Sequence, residues 1–188
     1  LFLSCGLSSR NPHAALVAVD AILETHSDSA LVVLEKMNAD SLDNYNKSYY
    51  YILLTAARNK AALSLIESDV LIDFAINTLS SRKDADLLAR AYLYKGRIWL
   101  ELEESEEAMH AFQQGIDLQL KQDQYSKETL AKIYDDLGNL YVDERLFDLA
   151  LVTFRKEYEI DQSTGDRKGL VFSLKNISKT FYFFNQLD

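Results

Sequence analysis

The sequence predicts an all-α fold, a right-handed solenoid of about four stacked antiparallel helical hairpins followed by one unpaired helix. Only 6 Gly and 1 Pro occur among 188 residues, so the chain lacks the turn-forming residues that an all-β protein needs. The composition, 48% hydrophobic and 26% charged, is typical of a globular domain with a real core. Two stretches of the chain also repeat one another, as expected of stacked helical hairpins.

The repeat relates residues 92–112 to residues 134–154, which align without gaps at their informative positions. Both stretches contain an aromatic residue, a Gly, a second aromatic residue, an Ala and a Phe at equal spacings: Tyr92, Gly96, Trp99, Ala108 and Phe112, then Tyr134, Gly138, Tyr141, Ala150 and Phe154. Gly inside a helix costs about 1 kcal/mol relative to Ala, so two at equivalent positions indicate close packing. We expect these glycines to let the two alanines of the second helices approach closely.

This pattern resembles the tetratricopeptide repeat, in which stacked hairpins bury one another's apolar faces. The repeat spacing here is 42 residues, from Gly96 to Gly138. Lys95 replaces the usual Leu, and Glu157 replaces the usual small residue late in the second helix. Ser105 is expected to cap a second helix through its side chain.

Weaker copies of the same pattern flank the clear pair. They lie at residues 14–37 and 44–81, and residues 169–184 repeat the first helix alone. We therefore predict one helical-repeat domain over residues 13–188, and we expect the array to continue beyond the end of the sequence.

Charge and motifs exclude several functional classes. The net charge is −9, whereas a nucleic-acid-binding segment needs a concentrated basic surface. The sequence has no glycine-rich phosphate loop, no G-x-S-x-G and no H-E-x-x-H, and its three histidines lie far apart. We therefore expect no enzyme, no cofactor and no metal, and a protein or peptide as the partner.

The tetratricopeptide resemblance implies a concave ligand-binding face, lined by the first helix of each hairpin. Transferring the family's register gives candidates on three helices: Arg90, Leu93 and Arg97; Lys132 and Asn139; and Lys175, Asn176 and Lys179. Such cations and amides suit an extended peptide or its carboxylate, because Asn can hold backbone groups while Lys or Arg holds the charge. The alternative for the same residues is a solvated helix face without a ligand.

The last predicted helix presents four consecutive aromatic residues, from Phe181 to Phe184. Such a helix would leave a large apolar surface in water. Two explanations remain open: the array continues and covers this surface, or the aromatic residues form a homodimer contact.

The first half of the chain adds a resemblance to Bacteroidetes cell-envelope tetratricopeptide proteins. The shared features are "DSAL" followed by Leu34, a Tyr- and Leu-rich helix ending in Ala57 and Lys60, and "SDVLI" from Ser68. The resemblance extends over about residues 14–188. It implies a chain that often begins with a lipoprotein or signal segment. It also implies repeats that often precede a membrane helix and a cytoplasmic helix-turn-helix regulator.

The opening residues, "LFLSCG", are similar to the end of a bacterial lipoprotein signal. There, apolar residues and a small residue precede an acylated cysteine, and Ser4 and Cys5 follow that order, although Phe2 stands where Leu is more usual. Residues 1–12 are then the end of the signal and its tether, with Cys5 as the lipidation candidate. The alternative is an unmodified thiol.

These observations predict a non-enzymatic scaffold or sensing module of the bacterial cell envelope, facing the periplasm and tethered by lipid or by a membrane helix. Its concave face would bind a partner segment. The alternative is the repeat region of a signal-responsive, cytoplasmic transcriptional regulator whose DNA-binding domain lies beyond residue 188.

Overall fold

The computed structural model describes residues 12–82 and 84–185, and it is predominantly helical throughout this part of the chain. The α-helices described there are α1 Ala14–Leu23, α2 Ser27–Glu35, α3 Asn44–Lys60, α4 Asp69–Ser80, α5 Ala85–Glu101, α6 Ser105–Leu120, α7 Lys127–Asp143, α8 Phe147–Thr164 and α9 Arg167–Phe184. Two short 3-10 turns, Ala39–Ser41 and Ile66–Ser68, precede α3 and α4. The prediction of an all-α fold is confirmed for these residues.

Helices adjacent in sequence pack against one another, from α1 and α2 to α8 and α9. The odd-numbered helices also form a row of their own, because α1 contacts α3, α3 contacts α5, α5 contacts α7 and α7 contacts α9. We call the surface formed by α1, α3, α5 and α7 the odd-helix face. Along this row, ten-residue α1 is followed by three helices of 17 residues each.

The same backbone turn ends three of the odd-numbered helices. After α3, α5 and α7 one residue adopts a left-handed conformation: Ala62 (φ 53°), Glu103 (φ 62°) and Arg145 (φ 60°). In each case the next amide donates to the carbonyl five residues earlier, at N–O distances of 2.7–3.0 Å. This hydrogen bond satisfies a carbonyl that the helix end would otherwise leave free. The turns at Glu103 and Arg145 are 42 residues apart, the spacing of the sequence repeat.

Side-chain caps begin four of the odd-numbered helices, whereas α1 has none. Asp43, Asp84, Ser126 and Asp166 each accept a hydrogen bond from a backbone amide in the first turn of α3, α5, α7 and α9. The starts of α2, α4, α6 and α8 have no such bond. The expectation that Ser105 caps α6 is therefore wrong: the three-residue turn after α5 puts Glu104 at the cap position, and Ser105 is already helical.

The repeated glycines make room for aromatic rings. A Cβ on Gly96 would lie within 3 Å of the Phe112 ring, and a Cβ on Gly138 within 3 Å of the Phe154 ring. Both rings are fully buried. We expected the glycines to make room for Ala108 and Ala150. This expectation is wrong, because the atoms nearest to the missing Cβ belong to the phenylalanine rings.

The outer surface of α9 is apolar. Val171, Phe172, Leu174, Phe181 and Tyr182 are all exposed, as the sequence led us to expect for the aromatic residues.

Among the described helices, none combines the length and the apolar character needed to cross a membrane.

Candidate functional site

The odd-helix face encloses a cavity of about 500 Å³. Its walls come from α1, α3, α5 and α7, and from Ser126 just before α7; they include Asp20, Glu24, Tyr49, Asp86, Arg90, Leu93, Glu128 and Lys132. Most of these side chains are polar or charged, in contrast to the apolar layer of core residues between the helices. We call this space the inner cavity.

Arg90 anchors one wall of the inner cavity. Its guanidinium group donates two hydrogen bonds to the Asp20 carboxylate, both of 2.8 Å, and thereby joins α5 to α1. Tyr49 of α3 donates to the same carboxylate at 2.6 Å, and its ring lies 6.0 Å from the guanidinium carbon. Burial alone would raise the pKa of Asp20, but the hydrogen bonds and charge of Arg90 lower it below its usual value. Asp20 is therefore ionised at neutral pH, and its negative charge is paired with the positive charge of Arg90.

Lys132 anchors the opposite wall. Its ammonium group lies 2.7 Å from Glu24 at the end of α1 and 2.7 Å from Glu128 of its own helix. Glu24 also pairs with Lys60 of α3 at 2.7 Å. The inner cavity is thus crossed by ion pairs that join α1 to α3, α5 and α7.

Arg97 makes the next ion pair along the row. Its Nε donates to Asp136 of α7 at 2.6 Å, and its guanidinium carbon lies 5.6 Å from the centre of the Tyr94 ring. Burial lowers the pKa of Arg97, but the neighbouring Asp136 charge and hydrogen bond more than offset this and raise it. Arg97 therefore keeps its charge and fixes the spacing of α5 and α7.

The structure brings only part of the predicted set together. Arg90, Leu93 and Lys132 line the inner cavity, although Leu93 is 1% exposed and offers little surface. Asn139 and Asn176 instead converge on the Asp135 carboxylate, each at 2.9 Å. The Asn176 amide bridges α9 and α7, whereas the Asn139 contact lies within α7.

The last two predicted residues, Lys175 and Lys179, lie on the exposed surface of α9. Their ammonium groups lie 6.0 Å and 5.6 Å from the centres of the Phe172 and Phe183 rings. Neither lysine lines the inner cavity that contains Arg90 and Lys132.

The cations of the inner cavity do not form the open basic groove that the sequence suggested, because acidic side chains neutralise them. Sequence reasoning missed Asp20 on α1 and Glu24, the residue that directly follows α1; both line the inner cavity. Their i, i+4 spacing was the available signal.

A second cavity, of about 540 Å³, lies where α7, α8 and α9 meet. It contains Glu157 and Asp161, one turn apart on α8 and only 5% and 4% exposed. Burial, together with the charges of Asp135, Asp161 and Asp136, raises the pKa of Glu157 to about 8. We call this space the acidic cavity. Glu24, Glu128 and Lys132 line both cavities, which makes them neighbours.

Neither cavity matches a metal centre. In the part of the chain that the structure describes, no three His, Cys, Asp or Glu side chains converge in a way that could hold a metal ion. Cys5 lies outside the described residues.

No protein-family model matches this chain, and no curated protein matches it in sequence.

Proposed function

We propose that this chain is a non-enzymatic binding module that holds an extended peptide segment of a partner protein in the inner cavity. The observation that supports the proposal most directly is the cavity itself. Four helices distant in sequence supply its walls, and its polar side chains are already fixed by hydrogen bonds, so a ligand would find them ordered.

We also propose that the described helices form a right-handed, tetratricopeptide-like solenoid with this cavity on its concave side. Three observations support this: the row of contacts among odd-numbered helices, the repeated turn at Glu103 and Arg145, and the repeated Gly–Phe contacts. Each observation relates consecutive helix pairs by the same arrangement, as expected of a repeat array.

The ion pairs around the inner cavity indicate which part of a peptide it would recognise. Because Arg90, Arg97 and Lys132 are each paired with a carboxylate, a carboxylate ligand would have to compete with Asp20, Asp136 or Glu24. A peptide backbone needs no such exchange, because its amides can donate to exposed carboxylate oxygens of Glu24 and Glu128. The proposed ligand is thus a peptide recognised through its backbone, rather than a free C-terminus.

The cellular setting is proposed from the sequence. A lipid anchor on Cys5 would place the module in the cell envelope, where a scaffold or sensing role fits a peptide-binding array. This part of the proposal depends on the "LFLSCG" stretch and on the family resemblance.

Peptide binding can be tested by selecting a displayed random-peptide library on the protein and then measuring the affinity of the selected peptides. Ala21 is exposed and lines the inner cavity, so Ala21→Trp should fill the cavity without breaking an ion pair. Ala18 is exposed on the same helix and does not line the cavity, so Ala18→Trp is the matched control.

We expect Ala21→Trp to lower the affinity for the selected peptides by at least about tenfold, or about 1.4 kcal/mol of binding free energy. Ala18→Trp should bind them as the unchanged protein does. Peptides that bind both variants equally, or a library that yields no binder, would show that the inner cavity is not a peptide site.

A further inference from the structure

We propose that the acidic cavity binds an organic cation, namely an ammonium or guanidinium group on an alkyl stem, held between Glu157 and Asp161. A Lys or Arg side chain of a bound peptide or a free polyamine has this chemistry. The peptide source rests on the proposed function, whereas the polyamine source does not.

The two buried carboxylates of the acidic cavity have oxygens without partners. Glu157 Oε2 and Asp161 Oδ2 are buried and accept no hydrogen bond from the described residues. A buried acceptor without a partner destabilises the folded state, and a charged one does so more strongly. These two oxygens lie one helical turn apart on α8. A ligand that carries hydrogen-bond donors and a positive charge could pair with both and remove this destabilisation.

The cations that line the acidic cavity do not pair with Glu157 or Asp161. Lys132 pairs with Glu24 and Glu128, and Lys127 donates to the Ser163 hydroxyl at 3.0 Å. Lys168 is exposed at the rim and makes no ion pair with the residues the structure describes. The buried pair is thus left without an internal counter-charge.

The lining of the acidic cavity combines carboxylates with apolar side chains. Ala131, Ile160 and Phe172 supply apolar wall beside the carboxylates, which suits the methylene stem of a Lys or Arg side chain. A metal ion fits poorly, because oxygen-bound cations take about six or more ligands and no suitable group of three side chains occurs among the described residues. The lining therefore selects an amphipathic organic cation over a metal ion.

The start of α9 covers one side of the acidic cavity. A Cβ on Gly169 would lie 2.6 Å from Asp161 Oδ1, so the α9 backbone passes directly over this carboxylate. Burial raises the pKa of Asp161, and the nearby Ser173 hydroxyl donates to the Gly169 carbonyl at 3.1 Å rather than to this carboxylate. Asp161 Oδ2 is thus covered by α9 without a hydrogen-bond partner among the described residues.

The test is calorimetric titration with two probes, spermidine and the peptide acetyl-Gly-Lys-Gly-amide, at a pH of about 9, where Glu157 is ionised. The test variant is Glu157→Gln/Asp161→Asn, which keeps the shape of both side chains and removes their charge. The control is Glu159→Gln/Asp148→Asn, which removes two exposed carboxylates from the same helix. The control therefore measures nonspecific attraction to an acidic chain.

We expect at least one probe to bind, with an affinity that falls at least about tenfold in the test variant and stays within about twofold in the control. Binding of the peptide alone identifies a side-chain ligand, and binding of spermidine alone identifies a polyamine. Absence of binding by both probes, or equal binding by both variants, would overturn the proposal. So would tighter binding of Mg²⁺ or Ca²⁺ than of either probe.

Ala21→Trp separates this inference from the proposed function. Because Ala21 lines only the inner cavity, spermidine binding should survive in this variant while selected peptides are lost. If spermidine binds and the library yields no peptide binder, the acidic site is supported and the proposed function is contradicted. If peptides bind and neither cation probe does, the proposed function is supported and the acidic site is contradicted.

Discussion

Lys132 on α7 forms an ion pair with Glu24 at the end of α1 at 2.7 Å, although 108 residues separate them in the sequence. Two intervening odd-numbered helices lie between theirs in the row, so the contact requires the row to curve inward. This pair, rather than a groove of free cations, defines the inner cavity.

We expect the Lys132–Glu24 pair to contribute little to global stability and more to the position of α1. Both side chains are partly exposed, and such pairs are typically worth about 0.2–1 kcal/mol. A double-mutant cycle of Lys132→Met and Glu24→Gln, followed by urea unfolding, measures this coupling. Hydrogen exchange in α1 should become faster in Lys132→Met, and unchanged exchange there would contradict the positioning role.

We expect Arg90→Met to destabilise the protein by about 2–3 kcal/mol, because it leaves Asp20 partly buried without its counter-charge. Adding Asp20→Asn should recover much of the loss. Chemical unfolding of the two variants tests this, and a double variant no more stable than Arg90→Met would contradict it. The lowered pKa of Asp20 also means that its contribution to stability is present above pH of about 4 and is lost as the pH falls further.

The repeating parts of the fold could be predicted from the sequence because they depend on local patterns. Gly96 and Gly138 signalled tight packing at equal places in two repeats, and helical spacing of apolar residues outlined the elements. The partner of each glycine was misassigned, since spacing alone does not say whether an Ala or a Phe ring fills the space.

The charge state of the candidate site could not be predicted in the same way. The family register predicted Arg90 and Lys132 on a concave face, and both residues line the inner cavity. Their partners Asp20 and Glu24 come from α1 and its C-terminal end, whose distance from α5 and α7 depends on the curvature of the whole row. Glu157 occupies a position where the tetratricopeptide pattern has a small residue. This departure was a signal in the sequence for the acidic cavity.

We expect Gly96→Ala to destabilise the protein by about 1–3 kcal/mol, because the new methyl group meets the buried Phe112 ring. Adding Phe112→Leu should reduce the difference between Gly and Ala at this position, since the smaller side chain leaves room. Thermal unfolding of the four proteins of this cycle gives the coupling. A stabilising Gly96→Ala would mean that helix propensity outweighs the contact.

We expect Cys5 to be lipid-modified in the full-length protein, in line with the proposed cell-envelope location. Metabolic labelling with a palmitate analogue, with Cys5→Ser as the control, measures this. Label that persists in the control, or none on the unchanged protein, would contradict the anchor and favour an unmodified thiol.

We expect stability to fall as the pH rises from about 5 to about 9 because of Glu157. Its pKa is about 8 in the folded protein and near 4.5 when unfolded, so the folded state binds the extra proton between these values. At about 1.4 kcal/mol per pKa unit, ionising this group costs on the order of 5 kcal/mol of folding free energy. Glu157→Gln should remove this part of the pH dependence, whereas the exposed Glu159→Gln should retain it. Urea unfolding across this pH range measures the slopes, and equal slopes for Glu157→Gln and the unchanged protein would show that Glu157 is ionised without cost. Spermidine should restore stability at high pH only in proteins that keep Glu157, which links this prediction to the acidic cavity.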